Sequence, residues 1–396
     1  MTGHKNLTKT HGPFFLSAYF MLFVTGLEVL SAGAVLPDIV EEFHINYDMA
    51  GLLLSFLAAG NMTALIVSGY LSDLIGRKII LLAGSVMIAA GFLVITGVSS
   101  VTALAVLIFI AGCGWGISNI ISGIVNDITG GSVKHLNRLH IFFAAGAFTA
   151  PFFVIFASAL GAGWRTVLSI IGILAACSAV FFAVIKFPAT QISRQKQKNA
   201  KSRVSFEAFK HTRYYIFLII AFTYTAVETV MNGWITTYFQ GTGILTNIQA
   251  KVALSLVWVS IMTGRIILSF AGDKIKKESL ILICASAVLI FSVVLIQLYS
   301  FICVAACIFA LGLGLAAVIP TNIANAETVV QGSGTALGIL LSSGGLGAAA
   351  GPVITGMMAE HLSLTASMWS AAGFALILVI AAWINFILGR KKANHL

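Results

Sequence analysis

Twelve long apolar runs govern what this sequence can become, because a run of ~20 apolar residues is what a helix needs to cross ~30 Å of hydrocarbon. Between charged, glycine and proline punctuation, six of them read Pro13 to Leu36, Met49 to Leu71, Ile79 to Gly97, Val101 to Ile121, His140 to Leu160 and Thr166 to Ile185. Six more follow, Tyr214 to Phe239, Lys251 to Ala271, Leu280 to Tyr299, Cys303 to Ala324, Thr335 to Met358 and Thr365 to Leu388. Only 9% of the residues are charged and 59% are apolar, against about 25% charged in an ordinary soluble domain. No water-soluble fold hides that much hydrocarbon. Apolar and polar residues do not alternate with period two, which excludes a membrane β-barrel. The expected fold class is therefore an all-α membrane protein with twelve transmembrane helices. Lys5 and Lys9 ahead of the first run resemble a signal peptide, but the run is too long and lacks a small-residue cleavage site, so it is expected to stay as the first span.

The net charge of +10 sits almost wholly in short loops between the runs, which points to membrane orientation rather than to nucleic acid. If the N-terminus is cytoplasmic, that side receives Lys5, Lys9, Arg77, Lys78, Lys134, Arg138, Lys274 to Lys277 and Arg390 to Lys392. It also receives the polar stretch Gln191 to Arg213, with Arg194, Lys196, Lys198, Lys201, Arg203 and Lys210. The other side receives little beyond Arg165 and Lys251, and its first loop carries Asp38, Glu41, Glu42 and Asp48. Both termini and the linker are thus expected in the cytoplasm, with the chain in a plasma (inner) membrane. Cys113, Cys177, Cys284, Cys303 and Cys307 all fall inside apolar runs with no metal-ligand spacing, so they read as small packing residues. Neither a Walker loop nor a nucleophile elbow is found, and no enzyme, cofactor or metal is expected.

The halves repeat. A shift of 200 residues places Glu28 on Glu228, Gly33 on Gly233, Asp73 on Asp273, Gly112 and Gly114 on Gly312 and Gly314, and Asp127 on Glu327. One further residue of offset aligns Gly146 to Pro151 with Gly347 to Pro352. So many coincidences at matching depths imply a duplicated six-helix unit. The expected division is an N-terminal bundle over 1–186, a basic linker over 187–213 and a C-terminal bundle over 214–396.

After the second run comes Gly69-Tyr70-Leu71-Ser72-Asp73-Leu74-Ile75-Gly76-Arg77-Lys78. This resembles the G-x-L-x-D-x-x-G-R-K signature of the major facilitator superfamily, and a degenerate second copy keeps Gly264-Arg265 and Gly272-Asp273-Lys274. The resemblance implies two pseudo-symmetric six-helix bundles and a conformational latch formed by Gly69, Asp73, Gly76, Arg77, Lys78 and Asp273. In physical terms, Asp73 at a helix end can pair with Arg77 or reach across to the other half. A narrower resemblance is to the fucose/glucose-type sugar:proton symporters of that superfamily. It rests on Leu136 to Phe143 followed by Gly146 and Pro151, on Glu228 with Gly233 to Tyr238, and on Gly334-Thr335-Ala336 leading to Gly347 and Pro352. Where fucose permeases of that group carry acids in helices 1 and 4, this chain has Gly33 and Asn119.

A charge at mid-bilayer costs ~2.5 to 3.5 kcal/mol on insertion scales. Glu28 and Glu228, deep in the first and seventh runs, are therefore the candidate proton-coupling residues. A carboxyl in such a place can exist protonated near neutral pH, as a symporter or antiporter requires. Asn119, Asn232, Trp234, Tyr224 and Tyr238 are the candidate substrate contacts, with amides for hydroxyl groups and an indole face for the apolar side of a ring. Asn126, Asn322 and Asn325 are expected to face a cavity or another helix. Asp127 and Glu327 are expected to make helix-end contacts, with Arg138 as one partner, and His140 to be a helix-end histidine. The glycines around Gly146 and the run Gly344-Gly345-Leu346-Gly347 are expected to let helices approach closely. The function expected is alternating-access secondary transport of a small polar solute, most simply a sugar, with protons. Its alternative is a proton-driven drug or metabolite efflux antiporter, although the G-x(8)-G-x(3)-G-P-x(2)-G-G hallmark of that class is incomplete here. A transporter-like sensor, expected to carry an added cytoplasmic domain, and a lipid flippase stand further off. The expected partners are solute, protons and bilayer, with the protein a monomer and no nucleic acid involved.

Overall fold

The computed structural model describes residues 11–129, 133–187, 206–271, 275–330 and 334–393. Among these, twelve helices are long and apolar enough to cross a membrane, and no strand is present. The first group is α1 (Gly12–Phe43), α2 (Tyr47–Ile75), α3 (Arg77–Val94), α4 (Val101–Ser118), α5 (Ile120–Thr129), α6 (Val133–Ala159) and α7 (Trp164–Val184). The second is α8 (Thr212–Gly241), α9 (Asn247–Ala271), α10 (Lys277–Leu295), α11 (Phe301–Val330), α12 (Gly334–His361), the short α13 (Leu364–Ser367) and α14 (Trp369–Ala393). α4 and α5 form one span broken at Asn119. The protein is a multi-pass membrane protein, and its surface says so directly. On α14, Leu376, Ile377, Ile380, Trp383 and Ile384 are exposed while Ala371, Ala375, Leu378 and Ala382 are buried. Exposed apolar residues at i, i+1, i+4, i+7 and i+8 form a stripe that suits lipid and not water.

Several helices outrun their apolar cores. α1 continues past Leu36 through Pro37 to Phe43, and α11 continues past Ala324 to Val330. Polar residues in these extensions have partners, so the helix has no reason to stop at the hydrocarbon edge. Glu42 accepts from Trp164 Nε1 at 2.6 Å and from the Arg165 guanidinium at 2.7 Å. Asn325 Oδ1 accepts from Arg213 at 3.3 Å.

The described residues group into two compact units, one drawn from Met1–Phe43 and Phe56–Ala200, the other from His44–Ser55 and Lys201–Leu396. In the first, α1 packs on α6 and α7, and α3 on α4 and α7; in the second, α8 packs on α12 and α14, and α10 on α11 and α14. These are the same pairings under the duplication. The glycines show why the sequence had to repeat them. A Cβ on Gly146 would overlap the carbonyl oxygen of Phe23, and a Cβ on Gly347 would overlap that of Phe222. Gly112 lies on the backbone of Leu57, and its repeat mate Gly312 lies on Ser260. Gly114 meets Gly84 and Ile88 where Gly314 meets Cys284 and Val288, residues again 200 apart. Helices without a solvent-driven force between them are held by such close backbone approach.

The residues 44–55 belong with the second unit, so α2 is shared between the two. Within that unit Ser55 Oγ donates to the Ala349 carbonyl at 2.6 Å, and the Tyr47 N–H donates to Glu360 at 3.0 Å. Asp48 and His361 lie 3.1 Å apart.

Polar knots tie the helix ends. In the first unit Arg77 pairs with Asp127 at 2.7 Å, the partner the sequence reading offers as Arg138, and Lys78 donates to the carbonyls of Ala183 and Ile185 at the end of α7. In the second, Arg213 pairs with Glu278 at 2.6 Å and donates to Asn385 at 2.9 Å. Lys277, the repeat mate of Arg77, donates to the Ala324 carbonyl at 2.9 Å. Asn322, wholly buried, donates to the Phe217 carbonyl at 3.0 Å, so it and Asn325 serve helix contacts. Cys113, Cys284 and Cys307 are buried, whereas Cys177 and Cys303 are exposed.

Gly76 sits between α2 and α3 with φ of 95°, a backbone region that side chains with a Cβ enter only at a cost. A methyl there would meet nothing within 4 Å, so backbone strain alone sets the penalty. Gly76→Ala is expected to destabilise the protein by about 1 to 2 kcal/mol. A thermal-melting comparison of the purified variant in detergent measures it, and an unshifted midpoint would show that the turn relaxes freely.

Candidate functional site

α8 is apolar along most of its length, and the polar groups it carries fall on separate faces. Tyr224, Glu228 and Asn232 recur at i, i+4 and i+8 and share one face; Trp234 lies about 120° round the helix from Glu228, and Tyr238, close to Tyr224 in rotation, stands about four turns further along. Glu228 stands about 24 Å along the helix from Thr212 and about 20 Å from Gly241, so it is central to the span. Its side chain is half-buried. Tyr224, almost wholly enclosed, lies near Glu228 and the Arg265 guanidinium of α9, close enough for the three to act on one another electrostatically. Arg265 also acts on Glu228 through its charge.

The direction of side chains on helices explains this meeting. Cα–Cβ bonds tilt toward a helix's own N-terminus, and α8 and α9 are successive spans that run in opposite senses. Glu228 leans back along α8 toward Tyr224, while Arg265, six residues before the end of α9 at Ala271, leans the other way. Arg265 is exposed. In the sequence it stands as part of the degenerate motif copy Gly264-Arg265. Its signal was available, as a lone arginine inside an apolar run is costly wherever it stands.

The other candidate acid differs. Glu28 is wholly buried in the first unit, and neither carboxyl oxygen has a hydrogen-bond partner among the described residues. Ser31, one turn further on α1, is likewise fully buried with its hydroxyl unpaired. A carboxyl and a hydroxyl enclosed with no partner are both costly to bury.

Among the contact candidates, Asn119 is exposed at the α4–α5 break, its amide directed to the carbonyls of Trp115 and Gly116 at 3.3 and 3.4 Å. Asn232 Oδ1 accepts from Trp258 Nε1 at 3.1 Å, which leaves its own amide donors available. Trp234 and Tyr238 have no exposed surface, and their polar atoms lack partners among the described residues. The ring of Trp234 lies 6.1 Å from that of Tyr47. The structure thus brings Tyr224, Glu228 and Arg265 together beside Asn232, and encloses Trp234 and Tyr238 elsewhere on the helix. Of the latch candidates, Gly69 and Asp73 lie within α2, Gly76 makes the turn, Arg77 and Lys78 hold α5 and α7, and Asp273 lies outside the described residues.

Twelve spanning helices, built from a repeated set and carrying a carboxylate, phenol and guanidinium inside the span, define a multi-pass membrane transporter. The chain belongs to the Major Facilitator Superfamily, whose family description matches residues 18–332. It is a transporter of that superfamily and not an enzyme. Protein TsgA of Shigella flexneri is 22% identical over 380 residues, covering 94% of this chain and 95% of the relative. The glucose/mannose transporter GlcP of Bacillus subtilis (strain 168) is 19% identical over 340 residues, covering 80% of each chain. The crystal structure of the nucleoside transporter NupG superposes with a TM-score of 0.76 at 16% identity, covering 94% of this chain and 98% of that one. Likeness at that identity bears on the fold.

Proposed function

We propose that this protein moves a small polyhydroxylated solute of the sugar type inward together with protons, its two bundles (1–186 and 214–396, joined by the linker 187–213) exposing a central site to each side in turn. Both termini and the linker lie in the cytoplasm, the membrane is the plasma (inner) membrane, and the working unit is a monomer. The observation that carries this reading is Glu228, a half-buried carboxyl at the centre of an apolar span, with the Tyr224 phenol one turn before it on the same helix. Such a group is kept in a membrane at a cost of ~2.5 to 3.5 kcal/mol, and proton relay is the common return for it. Glu28, a wholly buried carboxyl with no hydrogen-bond partner among the described residues, is the second proton carrier.

Tyr224 and Asn232, on the Glu228 face, are the proposed solute contacts of the second unit, and Asn119, at the α4–α5 break, is the proposed contact of the first. Trp234 and Tyr238, fully enclosed in this structure, are proposed to reach the solute only in another conformation of the transport cycle. Gly69, Asp73, Gly76, Arg77, Lys78 and Asp273 act as the conformational latch. A glucose/mannose transporter and a nucleoside transporter stand among the similar proteins, and both names denote polyhydroxylated cargo.

A thermal-shift screen of the purified protein against sugars, sugar acids and hydrophobic cations, run at pH 6 and pH 8, tests this reading. Stabilisation by a member of the sugar group that changes between the two pH values is expected. Stabilisation by hydrophobic cations alone would instead favour export of apolar cargo and sink the proposal.

A further inference from the structure

The start of α2 is gripped by the end of α12. The Tyr47 N–H, a donor that the first turn of a helix cannot satisfy internally, donates to Glu360 at 3.0 Å, and Asp48 beside it takes the His361 imidazole at 3.1 Å. Two turns further on, Ser55 Oγ donates to the Ala349 carbonyl at 2.6 Å. Between these points backbone lies on backbone: a Cβ on Gly51 would overlap the Pro352 carbonyl oxygen, and one on Gly356 would overlap that of Tyr47. By sequence α2 belongs to the first half of the duplication, yet residues 44–55 are held by elements of the second.

Charge decides how firmly this grip holds. Asp48 Oδ1 is enclosed with no partner among the described residues, and Oδ2 has His361. Glu360 brings a second carboxylate to the same contact. The groups that face His361 are thus acidic, Asp48 from α2 and Glu360 beside it on α12. The short α13 packed on the end of α12 has no ionisable side chain, α14 has none before Arg390, α11 begins with the thiol Cys303, and toward that end of α8 stands the enclosed Tyr238. A neutral imidazole leaves the Asp48 charge poorly compensated; an imidazolium supplies the missing positive charge.

We propose that the His361–Asp48 pair is an acid-strengthened clasp on the outer mouth of the transporter, in which protonated His361 holds α2 against α12 and slows opening to that side. This goes beyond the transport reading and rests on it, because that reading makes this end of α2 the outer one and requires the two halves to part there. The clasp lies about 38 Å of helix away from Asp73 of the latch at the other end of α2. Histidine is the side chain that gains its charge on going from pH 8 to pH 5.5. Acid outside therefore adds to the closed state a charged bond that the open state lacks, and alkali removes it. The His361 side chain is 65% exposed, so the pair has the strength of a surface pair, and the closed-to-open ratio changes about two- to fivefold.

The test places spin labels on the full-length protein in nanodiscs at His44→Cys and Leu362→Cys, with the exposed Cys177 and Cys303 changed to alanine. Both labelled positions are exposed, and the first substitution also removes the neighbouring histidine. Distance distributions between the labels read the share of molecules in which α2 has left α12. From pH 8 to pH 5.5 the short-distance population is expected to grow about two- to fivefold relative to the long one, and by less in about 0.5 M salt, which screens an exposed pair. His361→Gln and Asp48→Asn are each expected to abolish that response. A parent distribution that does not change with pH, a single distance at both values included, would overturn the inference. So would a response that survives His361→Gln. The transport reading fails separately: an acid-sensitive clasp in a protein that no sugar stabilises refutes the cargo and leaves the clasp standing, and a pH-blind clasp in a protein that sugars stabilise does the reverse.

Discussion

In liposomes carrying Glu228→Gln, a pH gradient is expected to drive no net accumulation of cargo, while exchange of labelled for unlabelled cargo continues. Each pH unit supplies ~1.4 kcal/mol per proton, so a gradient of two units sustains about 100-fold accumulation by a one-proton symporter. Glutamine keeps a similar shape and polarity, and loses only the capacity to carry a proton. The accumulation ratio should therefore fall from about 100 toward unity. Full pH-driven uptake by the variant would remove Glu228 from the coupling step and return that role to Glu28. The comparison is informative because the two acids sit in unlike surroundings, one half-buried and one wholly enclosed with no hydrogen-bond partner among the described residues.

The second large effect concerns folding. Gly146→Ala and Gly347→Ala each place a Cβ inside the van der Waals radius of a carbonyl oxygen, that of Phe23 in one unit and that of Phe222 in the other. Backbone cannot yield as the tip of a flexible side chain does, so the helix pair must separate. Overpacking usually costs ~1 to 3 kcal/mol, and a clash with main chain belongs at the upper end. A loss of about 3 kcal/mol shifts the folded-to-unfolded ratio more than 100-fold. Gly338→Ala, on the same helix as Gly347, meets nothing within 4 Å and is the matched control. It is expected to stay within about 1 kcal/mol of the parent. Melting curves and size-exclusion profiles of the three variants read the difference; three equal midpoints would show that the crossings tolerate a methyl and that close approach is not what the repeated glycines provide.

The same glycines show how far the sequence could be read. Gly112, Gly114, Gly146, Gly312, Gly314 and Gly347 were visible as a repeat because each stands at a close helix contact that the duplication makes twice, against main chain at Gly146 and Gly347 and against the Ser260 side chain at Gly312. Helix ends were less legible. Hydropathy marks where hydrocarbon stops, whereas α1 and α11 end where Glu42 and Asn325 have found partners on other helices. The candidate site was legible in part. Glu228 and Tyr224 announce themselves by lying four residues apart in an apolar run, and Asn232 continues the same face. Trp234 invited the same reading from its closeness in sequence, yet six residues of helical rotation carry it off that face into a fully enclosed position.

What the chain alone determined was its number of spans, its duplication and the cost of each ionisable residue held within them. Those follow from one-dimensional facts, since hydrocarbon thickness sets run length and a carboxylate is costly in oil whichever way it turns. Tertiary packing decided which side chains meet. Tyr224 and Arg265 are 41 residues apart on different helices, and their proximity depends on how α8 and α9 are rotated against each other, a quantity that hydropathy does not encode.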